Sequence, residues 1–484
     1  MLSGALSFIS LPLLSRALGA ADYGLFNFLR FFFEKAIQFF DLGTSGFYPQ
    51  FSKRPGDRSI LRFVILYDLI LFFVSIVLLF LLIISGKTKE VLTTSSLVII
   101  LPIFSFVWFF IINGKMTELM DALGRTVTNE TVLFGTRLAL TIGMLGLFFF
   151  NKLNLYTYLA LQNVVFVISL LYLVYLAKRF IPKEEHSQPF KQTRSEFRKY
   201  SQPLFMASIV GIITGLGDRW VLQIFGGAVQ QGYYSFGLNL GTICFLLTGS
   251  VTPLLIREYA IAHAKQDKQR IAALFSKFLP IFYMLTATIS CFLATHGDWT
   301  SPILGGSDFK KAAIPVMLLS LAPIHQTYGQ LSGGLMVATN RTKIYGQINM
   351  FIALIGLPVT YICIAPKAYF GLDLGATGLA LKMVLLQIIG VNIQIWYNTK
   401  YLGIGMLKFI IQQILLIFFF IVIGFGARLV VSEFLQPGIP ALIFSGILYL
   451  SGILFIICLW PGLISITRKE ILGYIKMLLS NLNK

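Results

Sequence analysis

Charge is what this chain has least of. Asp, Glu, Lys and Arg make up 12% of its 484 residues, about half the ~25% of an ordinary soluble domain. Acids are the scarcer sign, with 20 Asp and Glu against 39 Lys and Arg and a net charge of +19. The four cysteines (Cys244, Cys291, Cys363, Cys458) stand singly inside apolar runs, a spacing that excludes a disulfide framework or a metal cluster. The four histidines are scattered along the chain. The sequence has no Walker motif or Gly-rich phosphate loop, which argues against direct use of ATP. It also lacks a polar stretch of domain size, so the basic balance has no soluble surface on which to present itself to nucleic acid. The short alternating segments of a transmembrane barrel are missing too.

What remains is apolar. Hydrophobic residues reach 56%, in Leu-, Ile- and Phe-rich runs mostly longer than the ~17 residues that cross ~30 Å of hydrocarbon. Fourteen candidate spans have cores near 2–18, 23–45, 60–84, 92–113, 127–150, 155–177, 201–221, 231–255, 274–295, 312–337, 345–365, 376–397, 407–431 and 441–463. The predicted fold class is an all-α polytopic membrane protein. Of the 39 Lys and Arg, 26 fall on the side that holds the N-terminus, Lys115 among them as a loop residue; 8 fall on the other side, and Arg30, Lys35, Arg137, Arg219 and Lys382 lie inside spans. The positive side is the cytoplasmic one, so an even span count puts both termini there. Outer loops are all short. Two basic connections, over 178–201 and 257–277, and the tail 466–482 face the cytoplasm, the last two as helices on the membrane surface.

The halves resemble each other. Leu18-Gly19-Ala20-Ala21-Asp22-Tyr23-Gly24-Leu25-Phe26-Asn27-Phe28 matches Gly226-Gly227-Ala228-Val229-Gln230-Gln231-Gly232-Tyr233-Tyr234-Ser235-Phe236. Leu119-Met120-Asp121-Ala122-Leu123-Gly124-Arg125-Thr126 echoes Leu335-Met336-Val337-Ala338-Thr339-Asn340-Arg341-Thr342, and Leu159-Ala160-Leu161-Gln162 echoes Leu379-Ala380-Leu381-Lys382. Their order is preserved, at offsets of 208, 216 and 220 residues, as expected of an internal repeat. The organisation that follows is a six-helix lobe over 1–180, a basic linker over 181–200 and a second six-helix lobe over 201–400. Two appended spans over 401–464 and an amphipathic tail over 465–484 complete it, with the lobes in a V. Such repeats build transporters with a site near the bilayer midplane.

Within span two, Arg30, Glu34, Gln38 and Asp41 fall on about 80° of helix surface. Polar groups on a lipid-like helix face protein or water rather than hydrocarbon.

The Leu18–Phe26 connection preceded by Ser15-Arg16, the Asp41-Leu42-Gly43 end of span two, the Leu119–Arg125 connection and Gly375-Ala376-Thr377-Gly378 resemble the polysaccharide-flippase (O-antigen transporter) branch of the multidrug/oligosaccharidyl-lipid/polysaccharide exporter superfamily. The resemblance spans essentially the whole chain. It departs from the family at the start, where span one begins almost at Met1 without a polar lead-in; an upstream start or a short first span is expected. It implies a non-enzymatic carrier in the bacterial inner membrane, moving undecaprenyl-diphosphate-linked oligosaccharide outward by alternating access. It implies no organic cofactor, coupling to H+ or Na+, contacts with membrane lipids, and a polysaccharide polymerase and chain-length regulator as partners.

Such cargo carries about two negative charges and a polar glycan. It calls for cations at membrane depth, each costing roughly 2.5–3.5 kcal/mol to insert. Arg30, Lys35, Arg137 and Lys382 are the substrate-binding candidates. Glu34, Asp41, Asp68 and His325 are the candidates for ion coupling. Pairing of Arg30 with Glu34, and of Arg137 with Glu130, is the competing structural explanation. Specificity is expected from Tyr67, Asn129, Gln162, Asn239, Asn349, Gln387 and Asn392. A cationic cavity argues against a multidrug antiporter of organic cations, and short outer loops argue against a membrane polymerase or ligase. Charge alone does not separate a flippase for the peptidoglycan precursor.

Overall fold

The computed structural model describes residues 2–41, 58–181, 189–245 and 252–465. The Leu42-Gly43 end of span two, the centre of the 181–200 linker and the tail helix over 466–482 lie outside the described residues. All long elements are helices, because hydrocarbon offers backbone N–H and C=O groups no partners of their own. In chain order they are α1 (Leu2–Asp41), α2 (Arg58–Ile84), α3 (Thr88–Leu92), α4 (Leu97–Ala122), α5 (Thr126–Phe149), α6 (Leu155–Phe180), α7 (Phe190–Gly241), α8 (Thr252–Ala264), α9 (Lys268–Thr295), α10 (Gly297–Gly305), α11 (Ala313–Ala338), α12 (Thr342–Ile364), α13 (Gly375–Leu402), α14 (Leu407–Ser432) and α15 (Ile439–Leu459).

Straight, the 40 residues of α1 would reach about 60 Å, twice the hydrocarbon thickness. Gly19 breaks the helix at φ 70°, ψ 175°, a conformation that costs glycine little. Gly227 breaks α7 in the same way, at φ 72°, ψ −174°. Among the described residues, ten helices are long and apolar enough to cross a membrane. With α1 and α7 each counted as two segments and α11 added, the segments number fourteen among the described residues.

The other repeat matches also share geometry. At the end of α4, Arg125 N–H donates to Met120 O (2.9 Å) and Gly124 N–H to Asp121 O (2.9 Å), a Schellman cap with Gly124 at φ 71°. At the end of α11, Arg341 N–H donates to Met336 O (2.8 Å) and Asn340 N–H to Val337 O (3.1 Å), with Asn340 at φ 59°. The arginines then stack alike, Arg125 over Phe180 at 4.4 Å and Arg341 over Tyr401 at 4.0 Å. Helices α6 and α13 begin at Leu155 and Gly375, at the same offset as the third match.

The chain forms two compact units, Met1–Gly232 and Tyr233–Lys484. In the first, Ile60, Phe63 and Val64 of α2 pack with Leu119 and Met120 of α4, Leu173 of α6 and Phe197 of α7. Most of α2 points away from this core, with Phe73, Phe80 and Ile84 exposed, as expected of a lipid face. In the second, Tyr283 of α9 and Tyr328 of α11 anchor a core that Leu416 and Phe420 of α14 and Tyr449 and Ile453 of α15 enter. The appended pair is therefore part of that core.

One element differs from expectation. The surface helix predicted over 257–277 is instead α8 followed by the first turns of α9. Asp267 explains the break: its side chain accepts the Arg270 N–H at 2.8 Å and caps α9. Leu255, Tyr259 and Ala262 form a buried seam along α8, so this helix is packed on the unit's core.

Just past the C-terminal end of α9, buried His296 bonds through Nδ1 to Phe292 O (3.0 Å) and through Nε2 to Ser445 Oγ (2.7 Å), and both bonds are satisfied by the neutral ring. Burial lowers its pKa from 6.5 to about 4 against the opposing pull of the Phe292 carbonyl. The unfolded chain therefore takes up a proton between pH 6.5 and 4 that the folded chain does not, and stability falls as pH drops through that window. Melting temperature in detergent is expected to fall by about 5 °C more between pH 7 and 4.5 in the native protein than in His296→Gln. Equal slopes for the two proteins would assign the acid sensitivity elsewhere.

Candidate functional site

The polar stripe of α1 lies inside the first unit. Arg30 donates from Nε to Glu34 Oε1 at 2.8 Å and lies over the rings of Phe106 and Phe110 of α4 at 5.7 and 4.9 Å. Those two rings pack edge-on against Phe166 of α6, which makes a rigid apolar bed for the guanidinium. Helical spacing sets the ion pair and aromatic packing sets the plane of the cation. The Arg30 side chain is still 33% exposed, so one side stays open.

Lys35 sits five residues further on, about 140° around the helix from Arg30. Its Nζ donates to Gln38 Oε1 at 2.8 Å and lies 5.6 Å from the Phe31 ring, which Arg219 approaches at 5.3 Å. Arg219 is buried, donating to Gln231 Oε1 at 3.0 Å while the Gln231 amide returns a bond to its carbonyl.

Asp41 and Asp68 meet at a residue that sequence reasoning missed. Lys115, 3% exposed, donates from Nζ to Asp41 Oδ1 and to Asp68 Oδ1, both at 2.5 Å. Asp68 reaches it from the narrow inward stripe of α2, between Val64 and Leu71. From the sequence, Lys115 is expected in a loop because the apolar run stops at Ile112. The Schellman cap at Gly124 carries α4 well past it, and that glycine was the available signal. Two carboxylates around one ammonium leave this cluster with a surplus negative charge when all three are ionised. Tyr67 adds a bond from its hydroxyl to Phe40 O at 2.6 Å.

The remaining candidates lie apart. Arg137 is exposed on α5, and no ion pair joins it to Glu130 among the described residues. Lys382 is buried in the second unit, with its Nζ 3.2 Å from where a Cβ on Gly356 would stand. By repeat position it is the counterpart of Gln162, which is also buried and donates to Tyr158 Oη at 2.6 Å. His325 is 3% exposed beside Tyr283, with ring centroids 6.0 Å apart, and its Nδ1 has no hydrogen-bond partner among the described residues. It faces the aromatic core of α9 and α11.

The specificity candidates also separate. Asn129 donates to Thr117 O at 3.2 Å, and Asn392 and Gln413 exchange bonds. Asn349 and Gln387 line a common cavity of about 300 Å³ between α11, α12 and α13.

Residues 1–254 match the family described as "Polysaccharide biosynthesis protein". The chain belongs to that family. No curated protein matches it. Among solved structures, this polysaccharide biosynthesis protein is similar to "Lipid II flippase MurJ, inward closed conformation", at 16% identity and a TM-score of 0.67, covering 96% of this chain and 98% of that one. It is also similar to an inward-facing multidrug resistance MATE family transporter of the MOP superfamily, at 10% identity and a TM-score of 0.67, covering 83% and 94%. A third is a MOP superfamily transporter from Pyrococcus furiosus, described as having a binding pocket of reverse polarity, at 11% identity and a TM-score of 0.57 over the same shares. At these identities the likeness is one of fold: that of MOP superfamily transporters.

Proposed function

We propose that this protein is a flippase that carries an undecaprenyl-diphosphate-linked oligosaccharide repeat unit from the inner to the outer leaflet of the bacterial inner membrane by alternating access. The observation that carries the reading is Arg30, a cation at membrane depth within the family-matched half, fixed on an aromatic bed and still partly open. A planar guanidinium held in one orientation suits diphosphate oxygens. Lys35 and Arg137 offer further positive charge to the same cargo, and Lys382 does so from the second unit. Glu34 is exchanged for phosphate when cargo arrives. Asp41, Asp68 and Lys115 form the ion-coupling group: a proton or Na+ taken up by a carboxylate weakens the hold on Lys115 and biases one access state over the other.

The experiment is flipping in proteoliposomes under an imposed proton gradient. Arg30→Ala is expected to slow undecaprenyl-diphosphate-oligosaccharide flipping by about 10–100-fold, the worth of a lost charge-assisted bond, with Arg30→Lys in between and Lys35→Ala weaker in effect. Native-like flipping by Arg30→Ala would reduce the Arg30–Glu34 pair to a packing contact. Efflux of a cationic dye with no lipid flipping would move the protein to the multidrug branch.

A peptidoglycan-precursor flippase is the second reading. It is favoured by the 96% coverage by the MurJ fold, against 83% for the MATE structure. Lipid II as cargo in the same liposomes separates the two readings.

A further inference from the structure

The cavity of about 300 Å³ in the second unit has an unusual lining for a membrane helix bundle: Gln326 and Gln330 of α11, Tyr345 and Asn349 of α12, and Gln387 and Gln394 of α13. Six polar side chains meet there, and none carries a formal charge. Gln330 and Asn349 reach the surface of the bundle, and exposed amides of this kind face water or ligand more readily than lipid tails. Gln394 is 5% exposed, and its Oε1 has no hydrogen-bond partner among the described residues. Its amide nitrogen makes only a long bond, 3.4 Å, to Asn349 Oδ1.

The walls are rigid. The Tyr345 ring lies against Gly333, where a Cβ would come within 2.6 Å of it. Gln387, with its amide nitrogen turned towards Ala322 O (3.1 Å), accepts from the Gln326 backbone N–H at 3.3 Å, bracing α13 against the part of α11 that contains Pro323. The cationic group stands outside this lining: Lys382 lies along the same seam, one turn of α12 past Ile352, at Gly356.

We propose that this cavity is the glycan-reading subsite of the flippase, taking one neutral sugar ring of the lipid-linked cargo; the inference rests on the proposed function. A sugar hydroxyl both donates and accepts hydrogen bonds, and each Gln or Asn offers two donors and a carbonyl acceptor. Convergent amides therefore match a ring of hydroxyls, while the missing charge leaves the diphosphate to the cations. The volume equals roughly ten waters, room for one sugar ring and not for a repeat unit. The Gln394 carbonyl is placed to accept from a hydroxyl, and Asn349 and Gln330 are free to close on the ring from the rim.

The test measures binding to the full-length protein in detergent by tryptophan fluorescence. The probes are undecaprenyl diphosphate bearing an N-acetylglucosamine-, glucose- or galactose-headed disaccharide, and bare undecaprenyl diphosphate. The native protein is expected to bind at least one sugar-bearing lipid about tenfold more tightly than the bare lipid, the worth of one or two net hydrogen bonds. Gln394→Leu and Asn349→Leu are expected to bring that ratio close to one while leaving bare-lipid affinity within about twofold. If Gln394→Leu fails to fold, Gln330→Leu at the exposed rim carries the same expectation. A native ratio of one, or a ratio unchanged in the variants, overturns the subsite and leaves the flippase reading standing. An equal loss for bare and sugar-bearing lipid would make the amides structural and also overturns it. Failure of the native protein to bind even the bare lipid sinks both the flippase reading and the subsite.

Discussion

Gly24→Ala is expected to keep the protein from accumulating in folded form in the membrane, and Gly232→Ala to do the same. A Cβ on Gly24 would stand 1.8 Å from Ala228 O and 2.5 Å from Gly232 N, and a Cβ on Gly232 would stand 2.1 Å from Ala20 O. Ala20 and Gly24 of one repeat correspond to Ala228 and Gly232 of the other. The contact is reciprocal, glycine of each motif on the alanine carbonyl of its counterpart. Here the obstacle is backbone on both sides, so no rotamer change relieves it. Overpacking usually costs about 1–3 kcal/mol where side chains can shift; a carbonyl inside covalent-like range exceeds that. Gly215→Ala, whose Cβ would meet only Phe31 Cζ at 3.5 Å, is the matched control and gains helix propensity of up to about 1 kcal/mol. Membrane yield and monodispersity of the three variants decide the matter. Normal yield of Gly24→Ala would mean that the two repeat connections do not approach this closely.

That contact also shows what the sequence could reveal. The repeat was legible because helix-breaking glycines and capping residues recur in fixed order, and such residues act through local backbone conformation. Gly19 and Gly227 hold nearly the same φ and ψ, and Gly124 and Asn340 end their helices with the same cap. That the repeats touch each other at Gly24 and Gly232 was not legible, since the close approach is tertiary. The same limit applied to the site. The Arg30–Glu34 pair follows from i, i+4 spacing. The Asp41–Lys115–Asp68 cluster joins three helices, and a hydropathy window that ended span four at residue 113 hid its central member. Conversely, the Glu130–Arg137 pair that shares a helix face did not form, because both side chains point outward where nothing holds them together.

Lys115→Met is expected to cost about 3–5 kcal/mol of stability, the usual result of stripping one partner from a buried ion pair, and to abolish coupled transport. The two acids left behind are only 12% and 17% exposed, so each loses an ammonium partner where water can do little to replace it, and they repel each other when both are charged. Adding Asp41→Asn and Asp68→Asn to Lys115→Met removes the two mutually repelling carboxylates, and melting temperature is expected to return most of the way, because a buried ionic cluster adds little net stability over a neutral one. Coupling should not return with it. If the carboxylates take up the driving ion, the triple variant flips cargo down its own gradient but no longer responds to an imposed proton or Na+ gradient. The discriminating readout is thus the ratio of flipping rates with and without the gradient, measured on protein of restored stability. A triple variant that regains both stability and gradient response would make the cluster a structural clamp and send the search for the coupling ion to Glu34 or to His325 in the second unit. A variant that regains neither would show that Lys115 fixes the packing of α4 against α1 and α2 through more than its charge.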